Sequence, residues 1–290
     1  MSYLYNMNPT SYIQRFMLEN LDIKGVIVKL TDVWQAMQHD RGYHPAAAKL
    51  LGEMAAVSAV LAGNLKHPGR QVFQAQGDGP VNLLVVDCTE TLNLRGFARV
   101  DRHISGRDLP SLLGEGQLQL TLKTLEMEQP YQSLIALDGN SIAEVFAHYF
   151  EQSAQQPTDL WLACNQEASV ALFVQKLPSS DEKDPDGWRR IQALAETVRD
   201  DELLTLDAAT LLRRLFAEED TRLYPARAVT HHWPRDPEKI IDMLLTLGKD
   251  EVCAMLDDCD GVTIRDELSN HSYQFNVEEI EAIFQPRTLH

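Results

Sequence analysis

The chain has 290 residues, of which 44% are hydrophobic and 24% are charged, and this composition is typical of a globular protein with one large domain or a large and a small one. Its formal net charge of −17 argues against binding to nucleic acid or to an anionic membrane surface, because both require a basic face. Strong like charge also keeps a protein soluble, which suits a protein that exposes apolar surface without aggregating.

The first two thirds of the chain carry both strand and helix patterns. The β-branched run at 23–30 predicts a strand, and the Ala-rich apolar run at 45–65 predicts a core helix rather than a membrane span. Turn residues from Gly77 to Pro80 separate two strand-like runs, which indicates a hairpin. Further strands are predicted at 92–100, 117–123, 131–137, 160–164 and 170–175, and a helix at 140–152. The sum is an α+β fold with a largely antiparallel sheet and packed helices.

A polar segment that contains Pro and Gly, residues 177–187, is the clearest break in the chain. We place the end of an N-terminal domain, residues 1–178, at this segment. Helical periodicity beyond it predicts a helical linker over 179–230.

A small α/β domain is predicted over 231–290. It contains helices near 237–247 and 250–256 and a short strand at 273–275. Its last helix begins at Asn276, where Glu279 has the spacing of a capping box.

The cysteine content and the start of the chain bear on the cellular compartment. Four scattered cysteines do not make a disulfide framework, which favours a reducing cytoplasm. The first residues lack a basic segment followed by an apolar one, so we expect no signal peptide. We therefore expect a cytoplasmic protein.

Few patterns indicate catalysis or cofactor binding. The run from Gly77 to Pro80 lacks the third glycine and the following helix of a phosphate-binding loop, and a turn explains it better. The chain has no GxxxxGK[ST], GxSxG or HExxH motif. A nucleophile triad assembled in space stays open, although nothing in the sequence favours one. We predict no catalytic residues, no cofactor-binding residues and no enzyme activity.

Two residue pairs near the C-terminus have an alternative interpretation as a metal or redox site. His231 and His232 could bind a metal with His271, Cys253 or Cys259, but adjacent histidine side chains point apart, which favours a surface loop. Cys253 and Cys259 could form a redox pair only if a helix ended between them, because six helical positions rotate the second side chain by about 240°. Two unrelated thiols are the favoured interpretation.

A collinear set of short motifs resembles the heat-shock protein thirty-three family, the redox-regulated holdase chaperones of bacteria. The run QGDGPVNLL at 76–84, followed by RGFARV at 95–100, is similar to the family signature. Supporting matches occur in the same order along the whole chain. They include FMLEN at 16–20, LLGEG at 112–116, QKLP at 175–178, ELLT at 202–205 and YQFN at 273–276.

The resemblance implies a chaperone domain, a helical linker and a C-terminal zinc switch. In the family the switch carries Cys-x-Cys before a helix and Cys-x-x-Cys before a Tyr-x-Phe strand. Counting back from these flanks places the four positions at Trp233, Arg235, Asp266 and Ser269, so all four thiolate ligands are replaced. We therefore predict no metal-binding residue and no zinc.

The loss of the metal has a consequence for stability, because zinc bound by thiolates contributes folding free energy to a domain this small. Residues 231–290 must fold by their own core or not fold stably. We expect Trp233 to fill part of the metal's space and Arg235 to form an ion pair with Asp266.

The function predicted from the resemblance is that of an ATP-independent holdase chaperone, which binds unfolded proteins and prevents their aggregation. Its zinc and thiol control is predicted to be lost, so it is either constitutive or activated by heat. The predicted partners are unfolded clients, not nucleic acid or membranes, and a homodimer stays open. Two alternatives are an enzyme with an unrecognised active site on the same fold and an adaptor for one defined partner.

Overall fold

The computed structural model describes residues 9–65, 67, 69–154, 156–254 and 261–285. Contacts divide the chain into two compact units, the first ending at His231 and the second beginning at His232. The structure thus groups the segment predicted as a linker, 179–230, with the predicted N-terminal domain, 1–178. The functional division at residue 178 stays a prediction.

A six-stranded antiparallel sheet runs through the first unit, and its strands come from both ends of that unit. The strands β2 (Ile23–Leu30) and β9 (Ser169–Lys176) lie in its middle and are buried on both faces, which explains why they are nearly continuous apolar runs. Val28 and Phe173 face one core, whereas Ile27 and Leu172 face another. The strands are β1 (Tyr12–Leu18), β2 (Ile23–Leu30), β8 (Thr158–Cys164), β9 (Ser169–Lys176), β10 (Thr221–Leu223) and β11 (Arg227–Ala228), in the order β10, β1, β2, β9, β8, with β11 also paired to β1.

The described residues of this unit also form a second antiparallel sheet of five strands, so the strands predicted as one sheet are divided between two. Its members are β3 (Gly69–Gly77), β4 (Val81–Cys88), β5 (Leu94–Val100), β6 (Gly116–Thr124) and β7 (Tyr131–Ile135), in the order β5, β4, β3, β6, β7. The β3–β4 hairpin confirms the turn predicted from Gly77 to Pro80. The alternation in β6 also holds, since Leu118 and Leu120 are buried.

The core helix α2 (Pro45–Asn64) contacts strands of both sheets. It begins with Pro45 at its first turn, and the side chain of His44 accepts a hydrogen bond from the Ala46 amide. The helix is long and apolar enough to cross a membrane, but 78% of its apolar stretch is buried inside the fold. Three more helices precede β8 in the chain, and they are α1 (Asp32–Gln38), α3 (Leu109–Leu113) and α4 (Ile142–Ala154).

A layer of short helices covers the opposite face of the six-stranded sheet. Ile191 and Leu211 of this layer belong to one buried cluster with Ile27 and Leu172 of the sheet. Asp207 caps the last of the helices by accepting the Thr210 amide at 3.0 Å. They are α5 (Ser180–Lys183), α6 (Gly187–Ala195), α7 (Asp200–Thr205) and α8 (Ala208–Leu215).

The described residues of the second unit form a hairpin and three helices. The predicted capping box is present, because the Glu279 amide donates to Asn276 Oδ1 at 2.8 Å and the Asn276 amide donates to Glu279 Oε2 at 2.9 Å. Its small core consists of Ile240, Leu244, Val252, Tyr273 and Ile280. The elements are α9 (Pro237–Leu247), α10 (Lys249–Ala254), β12 (Gly261–Asp266), β13 (His271–Asn276) and α11 (Val277–Ile283).

Candidate functional site: the four switch positions

The four switch positions lie in the second unit on two segments. Trp233 and Arg235 belong to the extended segment that leads into α9, and Asp266 and Ser269 stand where β12 ends and turns into β13. Hydrogen bonds connect the two segments, so the fold brings the predicted positions into one cluster. We call these four positions, together with Lys239, His271 and Tyr273, the switch cluster.

Asp266 connects the β12–β13 turn to α9. Its Oδ2 accepts Lys239 Nζ at 3.0 Å, and its Oδ1 accepts the amides of Leu268 at 3.1 Å and Ser269 at 3.4 Å. Burial alone would raise the pKa of Asp266, but the hydrogen bond from Lys239 and those from Ser269 outweigh it and hold the pKa below its usual range. Asp266 is therefore a carboxylate at neutral pH.

Arg235 contacts an aromatic ring rather than the carboxylate. Its guanidinium carbon lies 4.6 Å from the centre of the Tyr273 ring, and Nη2 donates to the Ser272 carbonyl oxygen. The predicted ion pair between Arg235 and Asp266 is wrong. Lys239, on the first turn of α9, occupies that role, since the helix start directs its ammonium group to the turn.

Trp233 contributes through its backbone. Its carbonyl oxygen lies 2.6 Å from His271 Nε2, a contact that requires the proton on that nitrogen. The Trp233 side chain is half-buried and is not among the described residues that form the core of this unit. The expectation that it fills the space of a metal stays a prediction.

The residues at these positions do not fit a zinc ion. Trp233 and Arg235 offer no ligand atom, and the Asp266 carboxylate is occupied by Lys239. Across the described ranges, no group of three His, Cys, Asp or Glu side chains is arranged to hold a metal. Of the alternative ligands, His231 bonds to the Leu94 carbonyl at 2.8 Å and His271 to that of Trp233.

Cys259 and the side chain of Cys253 lie outside the described residues. Two unrelated thiols therefore stay the prediction, and a redox pair stays the alternative.

The whole chain matches proteins of one family. The family model described as Hsp33 protein matches residues 11–276. The chain belongs to the Hsp33 family. A 33 kDa chaperonin of Methylobacillus flagellatus is 37% identical over 280 residues and covers 96% of both chains. One of Chromobacterium violaceum is 35% identical over 281 residues, covering 96% of this chain and 95% of the relative.

A solved structure shares the fold. The 33 kDa chaperonin of Thermotoga maritima superposes with a TM-score of 0.76 at 20% identity, covering 94% of this chain and 97% of that one. Membership in the Hsp33 family confirms that the protein is a chaperone and not an enzyme. The α+β fold is confirmed by the same comparison.

Sequence reasoning about this Hsp33 chain missed the partners in the switch cluster. Lys239 was missed because its partner, Asp266, is 27 residues away in the sequence. Tyr273 was recognised as a strand residue, but its hydroxyl also accepts the Asp236 amide at 2.8 Å. The available signal was a cation four residues after Arg235, in the first turn of the predicted helix.

Asp266→Ala is expected to destabilise the second unit by about 1–2 kcal/mol, which lowers its melting temperature by roughly 5–10 °C in a unit this small. The two turn amides account for most of the loss, because Lys239 is 57% exposed and an exposed ion pair contributes little. Hydrogen exchange of β13 in the full chain measures the effect. Asp242→Ala, on the exposed side of α9, is the control. Unchanged exchange in Asp266→Ala would refute this role.

Proposed function

We propose that this Hsp33 protein is an ATP-independent holdase that binds unfolded clients without control by zinc or thiol oxidation. The observation that carries the proposal is the switch cluster, in which Lys239 and Arg235 bring positive charge to the positions of the expected ligands. A cation would be repelled there, and the cluster itself connects the two segments that a metal would hold together.

The described thiols support the absence of redox control. Burial raises the pKa of Cys88 to about 12 and that of Cys164 to about 12. A thiol reacts with peroxide as the thiolate, and at neutral pH these two groups are almost entirely protonated. Both are therefore poor sensors of oxidants.

The helical layer over the six-stranded sheet is the proposed control element. It covers an apolar face that includes Ile27 and Leu172, and detachment of α6–α8 would expose a contiguous surface of the kind that unfolded proteins bind. Exposed ion pairs lie on its surface, such as Arg199 with Asp201 at 3.1 Å, whose side chains are 67% and 70% exposed. Such pairs contribute little, so heating is the proposed activating signal.

The net charge and the thiols also support the proposed partners and the proposed cellular compartment. The net charge of −17 favours clients over nucleic acid or membranes as partners and keeps the chaperone soluble with apolar surface exposed. Free thiols in Cys88 and Cys164 suit a reducing cytoplasm. We place the protein there.

An aggregation assay tests the proposal. A chemically denatured client is diluted into buffer with the full chain, and light scattering is followed with and without peroxide and a zinc chelator, at two temperatures. We expect suppression of scattering that neither reagent changes. Suppression equal at both temperatures would indicate a constitutive holdase, and suppression only on heating a heat-activated one. Activity that requires peroxide would overturn the loss of redox control.

A further inference from the structure

The strand β7 leaves one edge of the five-stranded sheet uncovered. It pairs with β6 on one side, and none of the described residues pairs with its other side. Natural edge strands usually carry a charge or a proline that blocks further pairing, but β7 reads Tyr-Gln-Ser-Leu-Ile and has neither. Its outer backbone amides and carbonyls are thus a template for an extended chain.

The opposite edge of the same sheet is protected. The Leu94 amide of β5 donates to the Thr230 carbonyl at 2.8 Å, and His231 bonds to the Leu94 carbonyl. Arg95 and Arg99 add charges along this strand. The β7 edge therefore lacks the charges and backbone contacts that protect the β5 edge of the same sheet.

Apolar side chains are exposed on and beside β7. Leu134 is 68% exposed and Tyr131 is 53% exposed, and Leu125 in the preceding turn is 98% exposed. An unpaired strand edge beside exposed apolar side chains is the surface to which a peptide adds as a further strand. The backbone supplies the hydrogen bonds, and the side chains select an apolar segment.

Carboxylates stand at both ends of this strand. Glu126 and Glu128 precede Tyr131, Asp138 follows Ile135, and all three carboxylates are exposed. His67 Nδ1 lies 3.1 Å from Glu126, and Lys123 is the exposed cation at the end of β6. The charge pattern favours a partner with an apolar centre and basic residues at its ends.

We propose that β7 is a docking edge for extended segments of unfolded clients that are apolar at the centre and carry Lys or Arg at both ends. The segment adds to the sheet beside β7 as a sixth strand. This inference rests on the proposed holdase function and assigns a client site to it.

A second copy of the chain fits this edge less well. Two β7 strands paired antiparallel about a twofold axis would bring the Asp138 end of one copy to the Glu126 and Glu128 end of the other. Like charges then face each other at both ends of the pairing. The same pattern attracts a client segment with basic ends.

Binding of a fluorescent peptide to the full chain tests the proposal. The peptide has an apolar centre of β-branched residues with two lysines at each end, and its affinity is measured by anisotropy. We expect Leu134→Lys and Tyr131→Lys each to weaken binding by about tenfold or more. Val100→Lys, at a 37% exposed position on the protected strand β5, is the matched control and should bind like the unmodified chain.

Two altered peptides test the mode of binding without any change to the protein. N-methylation of alternate amides removes backbone hydrogen bonds and should abolish binding. Aspartates in place of the lysines should weaken binding, and added salt should reduce that difference. Equal binding of the methylated peptide, or of Leu134→Lys with its melting temperature unchanged, would overturn the proposal.

Two further readouts separate the possible failures. If sedimentation shows a dimer that Leu134→Lys dissociates, the edge binds a second copy and the client site is refuted. If Leu134→Lys suppresses client aggregation as well as Val100→Lys does, β7 is not the docking edge but the holdase function stands. If the unmodified chain suppresses no aggregation under any condition, the proposed function itself fails.

Discussion

Asp87→Ala is expected to lower the unfolding free energy of the first unit by about 3–5 kcal/mol, which is the typical cost of removing one partner of a buried ion pair while the other charge stays in place. Asp87 is fully buried and accepts Arg70 Nε at 2.9 Å, Arg70 Nη2 at 2.7 Å and Arg95 Nε at 2.9 Å. The three residues lie on the adjacent strands β3, β4 and β5. Removal of the carboxylate takes the charge of Asp87 away from Arg95, whose side chain is only 14% exposed.

Denaturant unfolding followed by tryptophan fluorescence measures this effect, because Trp34, Trp161 and Trp188 lie in the first unit. Asp201→Ala is the control, since its pair with Arg199 is 70% and 67% exposed and is expected to contribute within about 1 kcal/mol. A loss in Asp87→Ala no larger than in this control would show that the two arginines are solvated well enough without Asp87.

Glu53→Gln is expected to stabilise the protein above neutral pH by about 2–3 kcal/mol. Glu53 lies in the core helix α2 and is 9% exposed. Burial raises the pKa of Glu53 to about 7 against the opposing effect of Lys49, whose Nζ lies 3.6 Å away, and Asp200 raises it further. The fold therefore favours the protonated form.

The direction of the pH dependence follows from this shift. The folded pKa lies above the ordinary value of 4.5, so the contribution of Glu53 is complete below that pH and is lost as the pH rises through about 7. Glutamine imitates the protonated acid and does not titrate. The difference in stability between Glu53→Gln and the unmodified chain should grow from about pH 5 to about pH 8.

Denaturant unfolding at a series of pH values measures that difference. Glu167→Gln, at an exposed loop position, is the control and should show no such trend. A difference that stays constant with pH would mean that Glu53 is charged in the folded protein and paired with Lys49. In that case the substitution would destabilise the chain rather than stabilise it.

Local patterns in the sequence were sufficient for the elements whose signal lies within a few residues. The alternation at 117–123 predicted β6, the turn from Gly77 to Pro80 predicted the β3–β4 hairpin, and Asn276 with Glu279 predicted the start of α11. Each of these rests on contacts between near neighbours in the chain. The collinear motifs likewise indicated the family whose model matches residues 11–276.

Elements that depend on distant partners were missed. β1 was not predicted, because Gln14 is buried in it by a hydrogen bond to the Tyr224 carbonyl, 210 residues away. The division of the strands into two sheets follows from α2 lying between them, which no local pattern encodes. β12 was also missed, although its partner β13 follows directly in the chain and apolar Val262 and Ile264 alternate with exposed Thr263 and Arg265, so a local signal was present.

The switch positions show the same difference between local patterns, which can be interpreted from the sequence, and contacts between distant segments, which cannot. The resemblance to the family predicts that Trp233, Arg235, Asp266 and Ser269 stand at the positions of a ligand set, and residue type alone excludes Trp and Arg as zinc ligands. Which side chains meet at those positions depended on the helix start at Pro237 and the β12–β13 register, which direct Lys239 rather than Arg235 to Asp266. Such pairing is decided by the directions of side chains in the folded chain, and these exist only once distant segments have packed together.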